Sequence, residues 1–157
     1  MSKLLMLYGV AGSGKSTWAK KFCLENKYMR ICPDDIREEV GTSISDMSNE
    51  YMVWMIAEER LTHCLATDID VVFDATNVKA KNRRMPLFIA GEFGADVSFA
   101  IFSCDKEEAK RRIHKDIKEK VNRSNVPDDV VDAMYNSYLE NIEEAKKYKH
   151  IIIENEK

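Results

Sequence analysis

Apolar residues come in short blocks, and most blocks stop at a residue that turns the chain. Leu4 to Tyr8 runs into Gly9, Tyr28 to Cys32 into Pro33, the apolar run of Ile69 to Phe73 into Asp74, and Val97 to Phe102 into Ser103; His150 to Ile153 forms a fifth. Blocks this short, bounded in that way, read as strands, and their lack of polar alternation suits strands buried on both faces of a parallel sheet. Between them the apolar spacing changes to three and four. Trp54, Ala57, Leu61, Cys64 and Leu65 mark a core-facing helix from Asn49 to about Thr67. Ser16 to about Asn26, Asp34 to Val40 (stopping at Gly41), Lys79 to Phe93 and Asp105 to Val121 are helical in pattern, with Pro86 expected to kink its helix or to start it. Thr42 to Ser48 reads as loop, and Asn122 to Val126 as a break. Pro127-Asp128-Asp129 suits a first helical turn, followed by a core stripe of Val131, Met134, Tyr135, Tyr138, Ile142 and Ala145. Alternating strands and helices predict an α/β fold: a parallel five-stranded sheet with helices on both faces and ligands at the carboxyl ends of the strands.

That rule directs attention to the residues just after each strand. The first such loop, Gly9 to Thr17, reads Gly-Val-Ala-Gly-Ser-Gly-Lys-Ser-Thr and fits the phosphate-loop pattern between a strand and a helix. Gly9, Gly12 and Gly14 free the backbone to wrap a phosphate, and Ser13 and Thr17 complete the loop. Lys15 is placed to reach the β- and γ-phosphates of ATP, and the Ser16 hydroxyl to join a Mg²⁺ shell that phosphates mostly fill. Asp74, ending a strand, is a candidate for the carboxylate that holds Mg²⁺ or its water; a helix cap or turn is the plainer role. Asp34, Asp35 and Arg37 offer a proton acceptor and a guanidinium able to clamp a phosphate, or else the capped first turn of a surface helix.

Composition narrows the partners. At 157 residues the chain suits one domain, residues 1–157. A net charge of −3 argues against wrapping long nucleic acid by bulk charge, yet Lys106 to Arg123 is locally basic, and so is the cluster Lys79, Lys81, Arg83 and Arg84. Cys23, Cys32, Cys64 and Cys104 form no closely spaced pair and read as small buried hydrophobes. The apolar opening is too short for a secretory signal and leads straight into the phosphate loop, and no run is long enough to span a membrane. A cytoplasmic location with no membrane association is expected, with oligomerisation left open.

The spaced set formed by Gly12 to Ala19, Asp34-Asp35-Ile36-Arg37, Thr76-Asn77 followed by Arg83-Arg84, and Val126-Pro127 ahead of Met134-Tyr135 resembles the 5′-hydroxyl polynucleotide kinases. The resemblance covers nearly the whole chain and is to the kinase half of the end-healing kinase-phosphatases. It implies a P-loop kinase fold with a helical lid within about 106–126, ATP and Mg²⁺ as cofactors, and the 5′-hydroxyl end of RNA or DNA as acceptor. By it, Asp34 takes the general-base place and Arg37 contacts an acceptor phosphate, while Asp35 is only a neighbour. Two departures stand out. The family's carboxylate directly precedes Thr, where this chain has Ala75 with Asp74 one position earlier, and the second lid arginine has no match, because counting on from Arg112 lands at Asp116. Arg112, Lys115 and Arg123 are thus the candidate lid cations. The alternatives are a kinase of a small hydroxyl compound such as a nucleoside or sugar, and a nucleotide-binding switch with a protein partner.

Overall fold

The computed structural model describes residues 1–41, 43–44, 47–119 and 125–154. In chain order the elements are β1 (Lys3–Tyr8), α1 (Lys15–Asn26), β2 (Met29–Ile31), α2 (Pro33–Val40), α3 (Glu50–Ala66), β3 (Val71–Phe73), α4 (Ala80–Glu92), β4 (Asp96–Ser103), α5 (Lys106–Lys118), α6 (Asp128–Ala145) and β5 (Lys149–Glu154). All five strands run parallel in the order β2-β3-β1-β4-β5. The strands flanking β1, β3 on one side and β4 on the other, follow one another in the chain, so the winding reverses at β1. The crevice that this reversal opens at the carboxyl end of β1 is where such sheets bind ligands.

Alternation along β1 distributes the core between two faces. Leu4, Met6 and Tyr8 point into the larger cluster, with Val53, Ala57 and Leu61 of α3, Ile89 of α4, and Val131 and Tyr138 of α6. Leu5 and Leu7 point the other way, to Ala19 of α1, Val72, Ala100 and Phe102. Trp18, stacked on Phe22 at 4.8 Å and edge-on to Phe102 at 5.6 Å, closes that second layer. Each fully buried side chain of this kind contributes about 1.5–3 kcal/mol through removal from water. Tyr8 also ties the sheet to α6, its hydroxyl donating to the Tyr138 carbonyl at 2.7 Å.

Several boundaries differ from the apolar pattern, each for a local reason. β3 begins at Val71, after Asp70, whose Oδ1 accepts from Lys3 N at 2.8 Å and whose carbonyl accepts from Met29 N at 2.8 Å. α4 passes through Pro86 rather than starting there, the missing N–H costing one rung of the ladder. α6 starts at Asp128, with Pro127 one residue before it. β5 is an edge strand that leaves Ile151 and Ile152 half exposed, so it lacks the two-sided cover expected of an apolar run. Cys32 and Cys64 are buried, but Cys23, within α1, and Cys104, just after β4, are only partly so. Among the described residues no helix is long and apolar enough to cross a membrane.

Candidate active site

The loop after β1 is held tightly before it meets any ligand. Gly9 N donates to the Thr76 carbonyl at 3.1 Å, joining the ends of β1 and β3. Gly12 has φ +82°, and a Cβ there would lie 2.6 Å from the Ala109 carbonyl oxygen of α5, so glycine is required for conformation and for space together. Gly14, with φ +91°, is the N-cap of α1 and supplies no side-chain acceptor. The first amides of α1 thus lie beside a loop able to wrap an anion, where the helix dipole adds a positive end. Ser13 is fully buried, while Ser16 and Thr17 are exposed on the first turn. Lys15 is not a projecting loop residue. It is 8% exposed, and its ammonium donates to the Val10 carbonyl at 2.8 Å and to Ser13 Oγ at 3.4 Å.

Asp74, at the end of β3, comes directly to this loop. Ser16 Oγ donates to its Oδ2 at 3.0 Å, bringing together the two groups expected near Mg²⁺. Two oxygen donors beside a phosphate cradle suit a small, hard cation that takes few ligands from protein. The same Oδ2 accepts from Arg30 Nε at 2.8 Å and lies 2.8 Å from Arg30 Nη2, while Arg30 Nη1 pairs with Asp35. Burial alone would lower the Arg30 pKa, but Asp74, with Asp35, more than offsets it and the guanidinium stays charged. Burial pushes the neighbouring Cys32 thiol up to about 12, so it remains protonated.

A second ionic cluster stands next to the first. Arg37 Nη1 pairs with Asp34, one turn earlier on α2, and its remaining nitrogens bind Glu50 of α3, with Nε 2.9 Å from Oε2 and Nη2 2.6 Å from Oε1. Trp54 Nε1 donates to the same Oε1 at 3.1 Å. Burial raises the Asp34 carboxyl above the ordinary range, and Arg37 works against that rise. Glu50 is lowered, chiefly by the Arg37 hydrogen bond. Asp34 and Asp35, adjacent in the chain, therefore belong to different networks.

Arg112 reaches the loop from α5. Its Nη1 donates to the Gly12 carbonyl at 3.2 Å and its Nε to Glu108 Oε1 at 3.1 Å. Lys115 is exposed on the same helix, and Arg123, with residues 120–124, lies outside the described residues. Arg83 leaves the surface basic cluster. It is 4% exposed, donates to the Asn77 carbonyl at 2.9 Å, and reaches Asn141 and Glu144 of α6 at 3.2 Å, binding the loop after β3 to the last helix. Asn77 is fully buried at φ +55°, and its amide donates to the Leu7 carbonyl at 2.7 Å.

Arg30 and Glu50 are the residues that motif reading missed. Arg30 carried a faint signal, a cation inside the short apolar run Tyr28 to Cys32. Glu50 carried none, since an acid in the first turn of a helix is ordinary.

A model of the AAA domain family matches residues 4–140. The chain belongs to that family. Its fold is that of the P-loop kinases, which use ATP and usually Mg²⁺. Among solved structures, a chain of the Pnkp1/Rnl/Hen1 RNA repair complex superposes with a TM-score of 0.78 at 28% identity, covering 91% of this chain and 46% of that one. This chain therefore spans less than half of that relative's length. A gluconokinase from Sinorhizobium meliloti 1021 matches at TM-score 0.61 and 16% identity over 97% of this chain and 82% of that one. The APS kinase CysC of Mycobacterium tuberculosis, in complex with AMPPNP and APS, matches at TM-score 0.51 and 22% identity over 76% and 73%. At these identities the last two speak for the fold alone.

Proposed function

We propose that this chain transfers the γ-phosphoryl group of ATP to the 5′-hydroxyl end of RNA or DNA. The observation that carries the reading is the Asp34-Arg37-Glu50 cluster, which stands beside the Ser16-Asp74 pair and joins a carboxylate of raised pKa to a guanidinium. The likeness to the RNA-repair chain over 91% of this sequence supports the same reading.

In this scheme the loop amides and Lys15 hold the β- and γ-phosphates, and Lys15 leaves the Val10 carbonyl to do so. Ser16 and Asp74 would hold Mg²⁺, which when bound offsets phosphate charge. Asp34 accepts the hydroxyl proton as the acceptor oxygen bonds to the γ-phosphorus and the bond to the β,γ-bridging oxygen breaks, releasing ADP. Glu50 fixes Arg37, whose fork exchanges part of its carboxylate contacts for a phosphate of the acceptor strand. Arg112 is the described lid cation nearest the loop, and Lys115 and Arg123 are the other candidates. No covalent work falls to the protein, so catalysis is positioning and charge.

A small-molecule acceptor is the second reading. The observation in its favour is that Arg37 is already neutralised by two carboxylates, which weakens its pull on a phosphate. Turnover of a 5′-hydroxyl oligonucleotide against a panel of nucleosides and sugars decides between them. Preference for the oligonucleotide is expected, and turnover confined to the small compounds overturns the proposal.

A further inference from the structure

A groove runs between α3 and α4, away from the phosphate loop. It consists of two adjoining cavities that share Trp54 and Met85. One, of about 480 Å³, is bounded by Tyr51, Met55 and Glu58 of α3, and the other, of about 320 Å³, by Lys81 and Asn82 of α4. Either is large enough for a small planar group, since ligand pockets span about 300–1,000 Å³. Tyr51 is 83% exposed and Met55 50%, although both are apolar enough to be expected in a core.

The two walls differ in chemistry. α3 presents flat or polarizable apolar groups with two carboxylates, Glu50 and Glu58, whereas the start of α4 presents Lys81, with Lys79 and Arg84 exposed on the same stretch. A single nucleic-acid strand has the matching asymmetry. Its bases stack on aromatic faces and offer amino groups to carboxylates, and its phosphates seek cations.

The groove is also continuous with the ionic cluster on Arg37. A single atom, Glu50 Oε1, lies 2.6 Å from Arg37 Nη2 and 3.1 Å from Trp54 Nε1. Arg37 and Trp54 are thus neighbours through one carboxylate, and a strand with its first phosphate on Arg37 would have the indole within reach of its next nucleotide. We infer that the Trp54-Met85 groove is a subsite for the second and third nucleotides of the acceptor strand, with bases against α3 and phosphates along Lys81. The inference rests on the polynucleotide reading above and adds a length preference to it.

The test compares a nucleoside 3′-phosphate with a trinucleotide as acceptors, each with a free 5′-hydroxyl, for wild type, Trp54→Phe, Trp54→Leu and Lys81→Ala. In the wild type the trinucleotide is expected to have a kcat/KM on the order of tenfold or more above the mononucleotide, from stacking. Both Trp54 variants lose the indole N–H, so they share any disturbance of Glu50. Phe keeps a ring, and it should keep most of the length gain; Leu should lose it. Lys81→Ala should make the salt dependence of trinucleotide binding shallower by about 0.7 in log–log slope and leave the mononucleotide slope alone.

Equal wild-type kcat/KM for the two acceptors overturns the subsite while leaving the kinase reading standing, and so does an equal length gain in the Phe and Leu variants. No transfer to either acceptor overturns both. A change in sedimentation on Trp54→Leu, with oligonucleotide handling intact, makes the groove a self-association face and overturns the inference.

Discussion

Asp34 and Asp35 are adjacent, equally charged and on one turn of α2, yet they should differ sharply in what they contribute to rate. Asp34 stands in the cluster of Arg37 and Glu50, whereas Asp35 pairs with Arg30, which keeps its contacts to Asp74 whether or not Asp35 is charged. Asparagine at 35 removes one ion pair from a side chain that is 52% exposed, a loss of about 0–1 kcal/mol, and should change rate little. Asparagine at 34 keeps the shape, and Glu50 alone still holds Arg37 by Nε and Nη2, so folding should survive. Loss of the proton acceptor itself should cost roughly 10²–10⁴-fold in kcat. The assay is transfer of labelled γ-phosphate to a 5′-hydroxyl oligonucleotide, with melting temperatures measured alongside. The wild-type rate should rise with pH through an apparent pKa above the ordinary carboxylate value, because burial raises the Asp34 carboxyl and only its ionised form accepts a proton. The stability sign is opposite. A raised carboxyl means the folded state holds the proton longer than the unfolded chain, so this group's contribution declines as pH climbs from the unfolded to the folded pKa. Asp34→Asn should abolish both dependences. Equal, mild losses at 34 and 35 would refute the assignment and leave the pair as a helix start.

Arg37→Ala should raise the KM of a nucleoside 3′-phosphate and narrow its advantage over the plain nucleoside, while Arg37→Lys restores only part, because lysine keeps the charge without the fork; unchanged acceptor kinetics in both variants would count against a phosphate clamp. Lys15→Met, which keeps the buried stem of the side chain, should remove phosphoryl transfer with the melting temperature within a few degrees of wild type, and a fully active variant would remove Lys15 from the site. Gly12→Ala forces a Cβ to 2.6 Å from the Ala109 carbonyl at φ +82°, and should cost about 1–3 kcal/mol in denaturant unfolding together with nucleotide binding; wild-type stability would show that α5 yields freely. Tyr8→Phe deletes the bond to the Tyr138 carbonyl and should cost about 0.5–1.5 kcal/mol by the same measurement, with no loss expected only if that bond adds nothing to the α6 contact.

The phosphate loop and the parallel α/β plan were legible because both are written locally. A glycine that must take positive φ at 12 or 14, a strand ended by Asp74 and a helix face spaced by three and four are properties of neighbours in the chain, and no distant contact is needed to see them. Element ends were less legible at Asp70 and Pro86, where one polar or ring residue competes with a periodic pattern and the outcome depends on partners from elsewhere. Apart from the meeting of Ser16 and Asp74, the site's wiring was not legible. Whether Arg37 faces solvent or Glu50, whether Arg83 joins a basic surface or pins α4 to α6, and whether Lys15 projects or lies against Val10 depend on residues from 5 to 61 positions away. Sequence spacing cannot show such pairings: the ordering of the sheet, with β3 beside β1, carries Asp74 to Ser16, and the packing of α2 on α3 carries Glu50 to Arg37. Charges were countable in advance, but their partners were a consequence of packing. The difference is physical: backbone preference acts between adjacent residues, whereas the cost of burying an unpaired charge is met only by whatever the completed fold places within reach.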